Sequence, residues 1–145
     1  MNNLTKMKIS KPIQEVFEAF VDPSKIGNFW FTSSSGRWEQ GRTITLRYDE
    51  YDAQGDIVVK EIELNRRIVF EWGANGEGHV VTITLSPTDH DECIIEIIEE
   101  GFDVNNRDVI PQMLDNKEGW VYMLTCLKGY LELEYGVNLR AALVK

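Results

Sequence analysis

The sequence has few of the residues on which disulfide frameworks and metal sites depend. Its 145 residues include two cysteines, two histidines and four prolines. Two cysteines cannot make the disulfide framework of a small secreted protein, and their spacing is not that of a CxxC metal or redox pair. Cys93 and Cys126 each lie inside an apolar segment, and neither His79 nor His90 has a neighbour that indicates zinc. We therefore expect free buried thiols, no metal and no redox cofactor.

Two further absences limit the partners and the location. No apolar run approaches the roughly 20 residues that a membrane-spanning helix needs, and the N-terminal MNNLTKMKIS lacks the apolar segment of a secretory signal. The formal charge is −9, whereas nucleic-acid binding needs clustered Lys and Arg. We expect a cytoplasmic protein with no nucleic-acid partner and no membrane span.

Length and composition are those of one globular domain. The chain is long enough to bury a sizeable core, with 43% hydrophobic and 27% charged residues. It contains no repeat, linker or low-complexity segment. We therefore predict a single domain over residues 1–145.

The N-terminal part predicts one strand followed by two short helices. Residues 4–9 can form the strand, Ser10 is suited to cap the first helix, and Pro12 is tolerated in its first turn. Apolar residues then follow at helical spacing: Ile13, Val16, Phe17 and Phe20. Asp22 and Pro23 predict a second helix, as its N-cap and first residue.

From residue 37 to residue 101 the periodicity changes from helical to strand-like. The alternating segments are 43–48, 56–64, 68–72, 79–85 and 93–100, with 37–39 as a further short candidate. Short turns such as DAQGD, ANGEG and SPTDHDE separate them, which is typical of an antiparallel meander. In DIVVKEIEL the apolar residues change phase, so we expect a β-bulge in that strand.

A long helix is predicted near the C-terminus, from about residue 118 to residue 135. Its apolar stripe consists of Trp120, Met123, Leu124, Leu127, Tyr130 and Leu131. Pro111 leaves the start of the helix open. A helix with one apolar stripe and a sheet with one apolar face cover each other when the helix lies across the sheet. The sequence therefore predicts a two-layer α+β domain.

Five short motifs cover nearly the whole chain in a consistent order. They are PIQEVFEAFVDPSKIGNFW, GRWEQGRTITL, NRRIVFEWG, the strand ending in Gly101-Phe102, and the Gly119-Trp120 pair. Together they resemble the START-like (SRPBCC) superfamily, and within it the family named after the activator of the heat-shock protein 90 ATPase. This chain departs from that pattern at Gln40, at Leu64-Asn65 and at Glu99, where the family commonly has a histidine.

The resemblance implies a helix-grip fold, in which a curved antiparallel sheet wraps around the long C-terminal helix, often around a hydrophobic cavity. It does not imply one chemistry, because a fold alone does not assign a function. The eukaryotic namesake binds its chaperone through a separate N-terminal domain. A chaperone-associated role is therefore the weaker expectation for this chain.

The expected function is the binding of a small apolar or amphipathic molecule between sheet and helix. The expected ligand-binding residues are Trp30, Phe70, Trp72, Glu99, Trp120, Met123, Leu127 and Tyr130. The alternative is that the same aromatic residues fill a solid core. Gly129 favours a cavity, because a glycine within a helix costs about 1 kcal/mol relative to alanine and needs a packing reason.

Glu99 is the polar member of this set, in phase with Ile95 and Ile97. Buried in a pocket it could act as an acid or base for an enzyme with an apolar substrate, and Glu99→Gln should then preserve or increase stability. The alternative is a solvated or Arg-paired side chain. No catalytic residue is assigned, since no nucleophile motif is present. The tail NLRAALVK packs on its own domain or on a second subunit, which leaves a homodimer open.

Overall fold

A seven-stranded antiparallel sheet forms one layer of the molecule. The computed structural model describes residues 1–73 and 78–144. The strands are β1 (Asn3–Ile9), β2 (Ser33–Ser34), β3 (Thr43–Tyr48), β4 (Ala53–Glu63), β5 (Arg67–Trp72), β6 (His79–Pro87) and β7 (Cys93–Glu100). Their order is β1-β7-β6-β5-β4-β3-β2. The predicted turn ANGEG between β5 and β6 includes residues 74–77, which lie outside the described residues.

Strand alternation places one face of the sheet in the core. In β7, Cys93, Ile95, Ile97 and Glu99 are buried, and the residues between them are partly exposed. The predicted bulge in β4 is confirmed, because the pairing with β5 shifts between Val59 and Glu61. Two other predictions were wrong. Residues 37–39 form no strand, and β4 begins at Ala53 because the turn lies earlier, in the 3₁₀ turn Asp49–Tyr51.

The N-terminal helical region contains one α-helix and one short turn. Helix α1 (Ile13–Val21) begins directly after Pro12, and Ser10 does not cap it. Instead Ser10 donates from its N–H to Glu132 and from its hydroxyl to Glu92. The predicted second helix is reduced to the 3₁₀ turn Ile26–Asn28. Gly27 and Asn28 are weak helix formers, which accounts for the short element.

The C-terminal helix α2 (Val109–Glu132) begins well before the predicted residue 118. Pro111 is its third residue, where the backbone N–H would have no partner within the helix in any case. The helix buries its stripe against the sheet, with Leu124, Leu127 and Leu131 fully inaccessible to solvent. No helix in the described part of the chain has the length and apolarity needed to cross a membrane.

The C-terminal tail packs on its own chain. Tyr122 donates from its hydroxyl to the carbonyl of Leu139, and Tyr51 donates to the carbonyl of Leu143 at 3.0 Å. A Cβ at Gly129 would lie 2.8 Å from Cδ1 of Leu139. The glycine on α2 therefore makes room for the tail and not for a cavity, which corrects the reason expected from the sequence.

The two cysteines are buried free thiols, at the start of β7 and within α2. Desolvation raises the pKa of Cys93 to about 11 and also raises the pKa of Cys126. Because the thiolate is the reactive form, we expect little alkylation of the native protein. After unfolding without reductant, mass spectrometry should show two alkylated cysteines. Two unmodified cysteines in the unfolded chain would instead reveal a disulfide.

Candidate functional site

A cavity of about 530 Å³, called here the sheet–helix cavity, lies between α2 and the sheet. Its walls come from five parts of the chain, and most of the lining residues are aromatic. The lining residues are Phe29, Trp30, Tyr48, Tyr51, Trp72, Asp115, Asn116, Gly119, Trp120, Tyr122, Met123 and Leu143. The space between the two layers is thus only partly filled by side chains.

Four of the residues predicted to bind a ligand line this cavity, namely Trp30, Trp72, Trp120 and Met123. Three others belong to the solid core. Phe70 and Leu127 are fully buried away from the cavity, and Tyr130 stacks on Phe29 with ring centroids 6.2 Å apart. The stripe of α2 therefore combines the two alternatives considered from the sequence, a cavity wall and a solid core. Its N-terminal part borders the cavity and its C-terminal part packs against the sheet.

Several lining residues were missed by the sequence reasoning. Tyr48 continues the buried face of β3 and could have been found by its alternation with Ile44 and Leu46. Tyr51 follows β3 in a turn, and Leu143 lies in the tail. Neither position belongs to a periodic segment, so no local pattern indicates that they reach the cavity.

A second cavity of about 420 Å³ adjoins the first, and we call it the His79 cavity. Trp72 and Asn116 line both cavities and so form the boundary between them. The other lining residues are Phe31, Leu46, Gly55, Asp56, Ile57, Gly73, His79 and Glu99. Among these residues, the apolar side chains are Phe31, Leu46 and Ile57, and the polar side chains are Asp56, His79 and Glu99.

Glu99 is fully buried and accepts hydrogen bonds from four side chains. Oε1 accepts from Nε1 of Trp120 at 2.9 Å, and Oε2 accepts from Nε1 of Trp72 at 3.2 Å. Asn116 donates to both oxygens at 3.1 and 3.2 Å, and Nδ1 of His79 lies 2.9 Å from Oε2. The sequence left open that Glu99 is solvated or paired with arginine. The structure shows neither, because the carboxylate is buried among the four side chains named above. The hydrogen bonds of Glu99 thus join β5, β6, β7 and α2 at one point.

Glu99 and its four hydrogen-bond partners, Trp72, His79, Asn116 and Trp120, form what we call the Glu99 cluster, and this cluster fixes the aromatic walls. Trp72 and Trp120 stack with ring centroids 5.1 Å apart and an interplanar angle of 23°. Trp30 meets both rings edge-on, at 6.3 and 5.6 Å. Because both stacked indoles donate to the same carboxylate, their planes are held in one orientation. The cavity wall is thereby preorganised before any ligand enters.

Arg140 fastens the tail beside the sheet–helix cavity. Its side chain is only 8% exposed. Nε donates to the carbonyl of Trp30 at 2.9 Å, and the terminal nitrogens donate to Glu50 and to Thr32. The guanidinium also lies over the Tyr48 ring, 5.0 Å from its centroid. These contacts place the following residues, including Leu143, against the cavity.

A seven-stranded antiparallel sheet against a long C-terminal helix, with an aromatic cavity between them, defines a START-like helix-grip protein. Residues 10–132 match the family model described as activator of Hsp90 ATPase homolog 1-like protein. The chain belongs to this family, as the motifs in its sequence predicted. No curated protein matches the chain in sequence.

Solved structures agree with this assignment. Protein SSP2350 from Staphylococcus saprophyticus is 51% identical, with a TM-score of 0.85 and 98% of each chain covered. The Aha1 dimer from Colwellia psychrerythraea is 18% identical, with a TM-score of 0.81, 94% of this chain and 99% of that chain covered. Protein MLL2253 from Mesorhizobium loti is 20% identical, with a TM-score of 0.79, 92% of this chain and 98% of that chain covered. The last two show the fold alone. The curved sheet and long C-terminal helix expected from the sequence are confirmed.

Proposed function

We propose that this protein binds one small hydrophobic or amphipathic molecule in the sheet–helix cavity. The observation that carries this proposal is a cavity of about 530 Å³ whose walls are mainly aromatic and whose stacked tryptophans are held by a buried carboxylate. Small-molecule sites commonly occupy about 300–1,000 Å³ and combine apolar walls with a few fixed polar groups. The fold supports the proposal, because helix-grip proteins often enclose a hydrophobic cavity between sheet and helix.

The enzymatic alternative receives less support from the Glu99 cluster. A general acid or base needs an oxygen within reach of the substrate. Glu99 borders the His79 cavity, but both of its oxygens already accept hydrogen bonds from side chains and its solvent exposure is zero. A chaperone-associated role has only the family name in its favour. We further propose a cytoplasmic location, which two buried free thiols favour because a reducing compartment preserves them.

Gly119 provides a direct test, because it lines the cavity and a Cβ there would meet no atom within 4 Å. We expect Gly119→Leu to place a side chain inside the cavity and to weaken the binding of naphthalene or an apolar dye, followed by tryptophan fluorescence. Its stability should hold or rise by up to about 1 kcal/mol, since leucine favours a helix more than glycine does.

Leu127→Trp is the matched control on the same helix. Leu127 is fully buried in the core, so we expect overpacking to cost about 1–3 kcal/mol in denaturant titration. The folded fraction of this variant should still bind the probe. The proposal is wrong if the unsubstituted protein binds no probe from an apolar panel, or if Gly119→Leu binds as well as the unsubstituted protein does.

A further inference from the structure

The Glu99 cluster holds the polar part of the His79 cavity in place. His79 itself is not among the residues that line the sheet–helix cavity. His79 projects from β6 and Glu99 from β7, and Asn116 reaches the same point from α2. The apolar part of the cavity is formed by Phe31 and two residues of the sheet, Leu46 and Ile57. A molecule in this space would meet an apolar wall and an oriented imidazole.

The hydrogen bond to Glu99 determines which nitrogen of His79 carries the proton. The indole and amide nitrogens around Glu99 can only donate, so the carboxylate oxygens accept, and we assign the proton to Nδ1 of His79, which then donates to Oε2 at 2.9 Å. A neutral imidazole with its proton on Nδ1 has a free lone pair on Nε2. Within residues 1–73 and 78–144, no hydrogen-bond donor to Nε2 is present. Among these described residues, Nε2 is therefore an acceptor without a donor.

The imidazole ring has little freedom to turn away. It packs on Phe102 with ring centroids 4.5 Å apart. On another side it meets the backbone at Gly101, where φ is +114° and a Cβ would lie 3.0 Å from Cδ2 of His79. Glycine is needed at this position both for its conformation and for the close approach of the ring. The acceptor is therefore preorganised.

The charges of the cavity lining discriminate between types of polar group. The described lining residues include the carboxylates of Asp56 and Glu99 and contain no lysine or arginine. An anionic group would be desolvated next to two negative charges with no cation to compensate it. A hydroxyl group, in contrast, can donate to Nε2 without carrying charge into the site.

We propose that the His79 cavity recognises a hydroxyl group of the bound ligand, through a hydrogen bond from that hydroxyl to Nε2 of His79. The inference rests on the proposed function. The apolar body of the ligand lies in the sheet–helix cavity, and its hydroxyl end reaches across the boundary at Trp72 and Asn116 into the adjoining His79 cavity. The ligand class is an amphipathic alcohol or phenol, and carboxylic acids are disfavoured.

Three probes of equal ring size test this inference, namely naphthalene, 2-naphthol and 2-naphthoate, titrated by calorimetry or tryptophan fluorescence. We expect 2-naphthol to bind about fivefold to tenfold more tightly than naphthalene, the gain of one net hydrogen bond. We expect 2-naphthoate to bind more weakly than naphthalene. Naphthalene has no hydroxyl group, so its binding reports only on the sheet–helix cavity.

Two substitutions of His79 separate its two nitrogens. His79→Asn places an amide nitrogen near the position of Nδ1, which keeps a donor for Glu99 and removes Nε2. His79→Gln places an amide oxygen near the position of Nε2. The affinity ratio of 2-naphthol to naphthalene should fall to about one in His79→Asn and should stay above about threefold in His79→Gln. Thermal unfolding of both variants checks that they are folded.

The outcomes distinguish the two proposals. If neither naphthalene nor 2-naphthol nor any other probe of the apolar panel binds the unsubstituted protein, both the proposed function and this inference are wrong. If naphthalene binds but 2-naphthol gains nothing over it, or if 2-naphthoate binds best, only the hydroxyl site is refuted. The hydroxyl site is also refuted, and the proposed function is not, if His79→Asn keeps the full preference for 2-naphthol over naphthalene. Should one variant fail to fold, the three-probe comparison on the unsubstituted protein still decides.

Discussion

Glu99→Gln is expected to lower the free energy of unfolding by about 3–5 kcal/mol, the cost typical of breaking a buried charged cluster. Glu99 has no exposed surface and accepts from Trp72, His79, Asn116 and Trp120. Glutamine would keep one oxygen but would turn an amide N–H₂ toward nitrogens that donate. At least one buried donor is then left without an acceptor, which costs more than the loss of a solvated hydrogen bond.

Denaturant titration near neutral pH measures this effect, and Glu96→Gln is the control. Glu96 lies on the same strand, and its partner Lys6 at 3.2 Å is largely exposed. An exposed pair of this kind contributes about 0–1 kcal/mol, so the control should change little. If Glu99→Gln is as stable as the unsubstituted protein, the expectation from the sequence is restored and the cluster does not stabilise the fold.

Arg140→Ala is expected to release the C-terminal tail. The guanidinium supplies the contacts that join the tail to Trp30, Thr32 and Glu50. No other side chain could replace them, because only arginine presents donors in this planar arrangement. The amide of Ala142, which donates to the Tyr122 hydroxyl at 3.0 Å, should then shift to its solvent-exposed position in NMR spectra. Probe affinity should also fall, since Leu143 no longer closes the cavity.

The contact between Arg140 and Glu50 makes the docking of the tail dependent on pH. Hydrogen bonds from Arg140 lower the pKa of Glu50 from 4.5 to about 2. A carboxyl whose pKa is depressed in the folded state stabilises that state above its unfolded pKa, and the stabilisation is lost as pH falls toward the folded pKa. We therefore expect the Ala142 amide to move progressively to its solvent-exposed position as pH falls from 4.5 toward 2.

Arg47→Ala is the control for Arg140→Ala, because Arg47 is exposed and forms an ion pair with Asp49 at 3.3 Å. It should leave both the Ala142 signal and probe binding unchanged at pH 6. If Arg140→Ala also leaves the Ala142 signal in place at that pH, the tail is held by its apolar contacts and Arg140 does not fasten it.

Local patterns were sufficient for most of the fold. Strand alternation located β3, β5, β6 and β7 to within a few residues, because a half-buried strand must alternate. The phase change in β4 indicated its bulge for the same reason. The start of α2 could not be predicted, because the first turn of a helix tolerates a proline that would end it anywhere else. The order of the motifs was sufficient to identify the family.

The lining of the sheet–helix cavity was predicted only in part, and ligand binding by these residues stays a prediction. Trp30, Trp72, Trp120 and Met123 were found, because large apolar residues at regular spacing must face the space between the layers. The same rule selected Phe70, Leu127 and Tyr130, which that space does not reach. Periodicity determines which face of a helix or strand is buried, but it does not determine whether the opposite layer fills the volume above each residue.

The sequence by itself determined a helix on an antiparallel sheet, an aromatic interior and a carboxylate in phase with it, since these follow from local spacing and side-chain chemistry. Only the tertiary structure decided that His79, Asn116, Trp72 and Trp120 meet at Glu99. Their partner is up to 27 residues away along the chain, and it is brought within 3.2 Å by strand register and by the position of α2. The tail was likewise placed by Arg140 and Gly129. Such long-range contacts depend on how whole elements pack, and no local pattern encodes them.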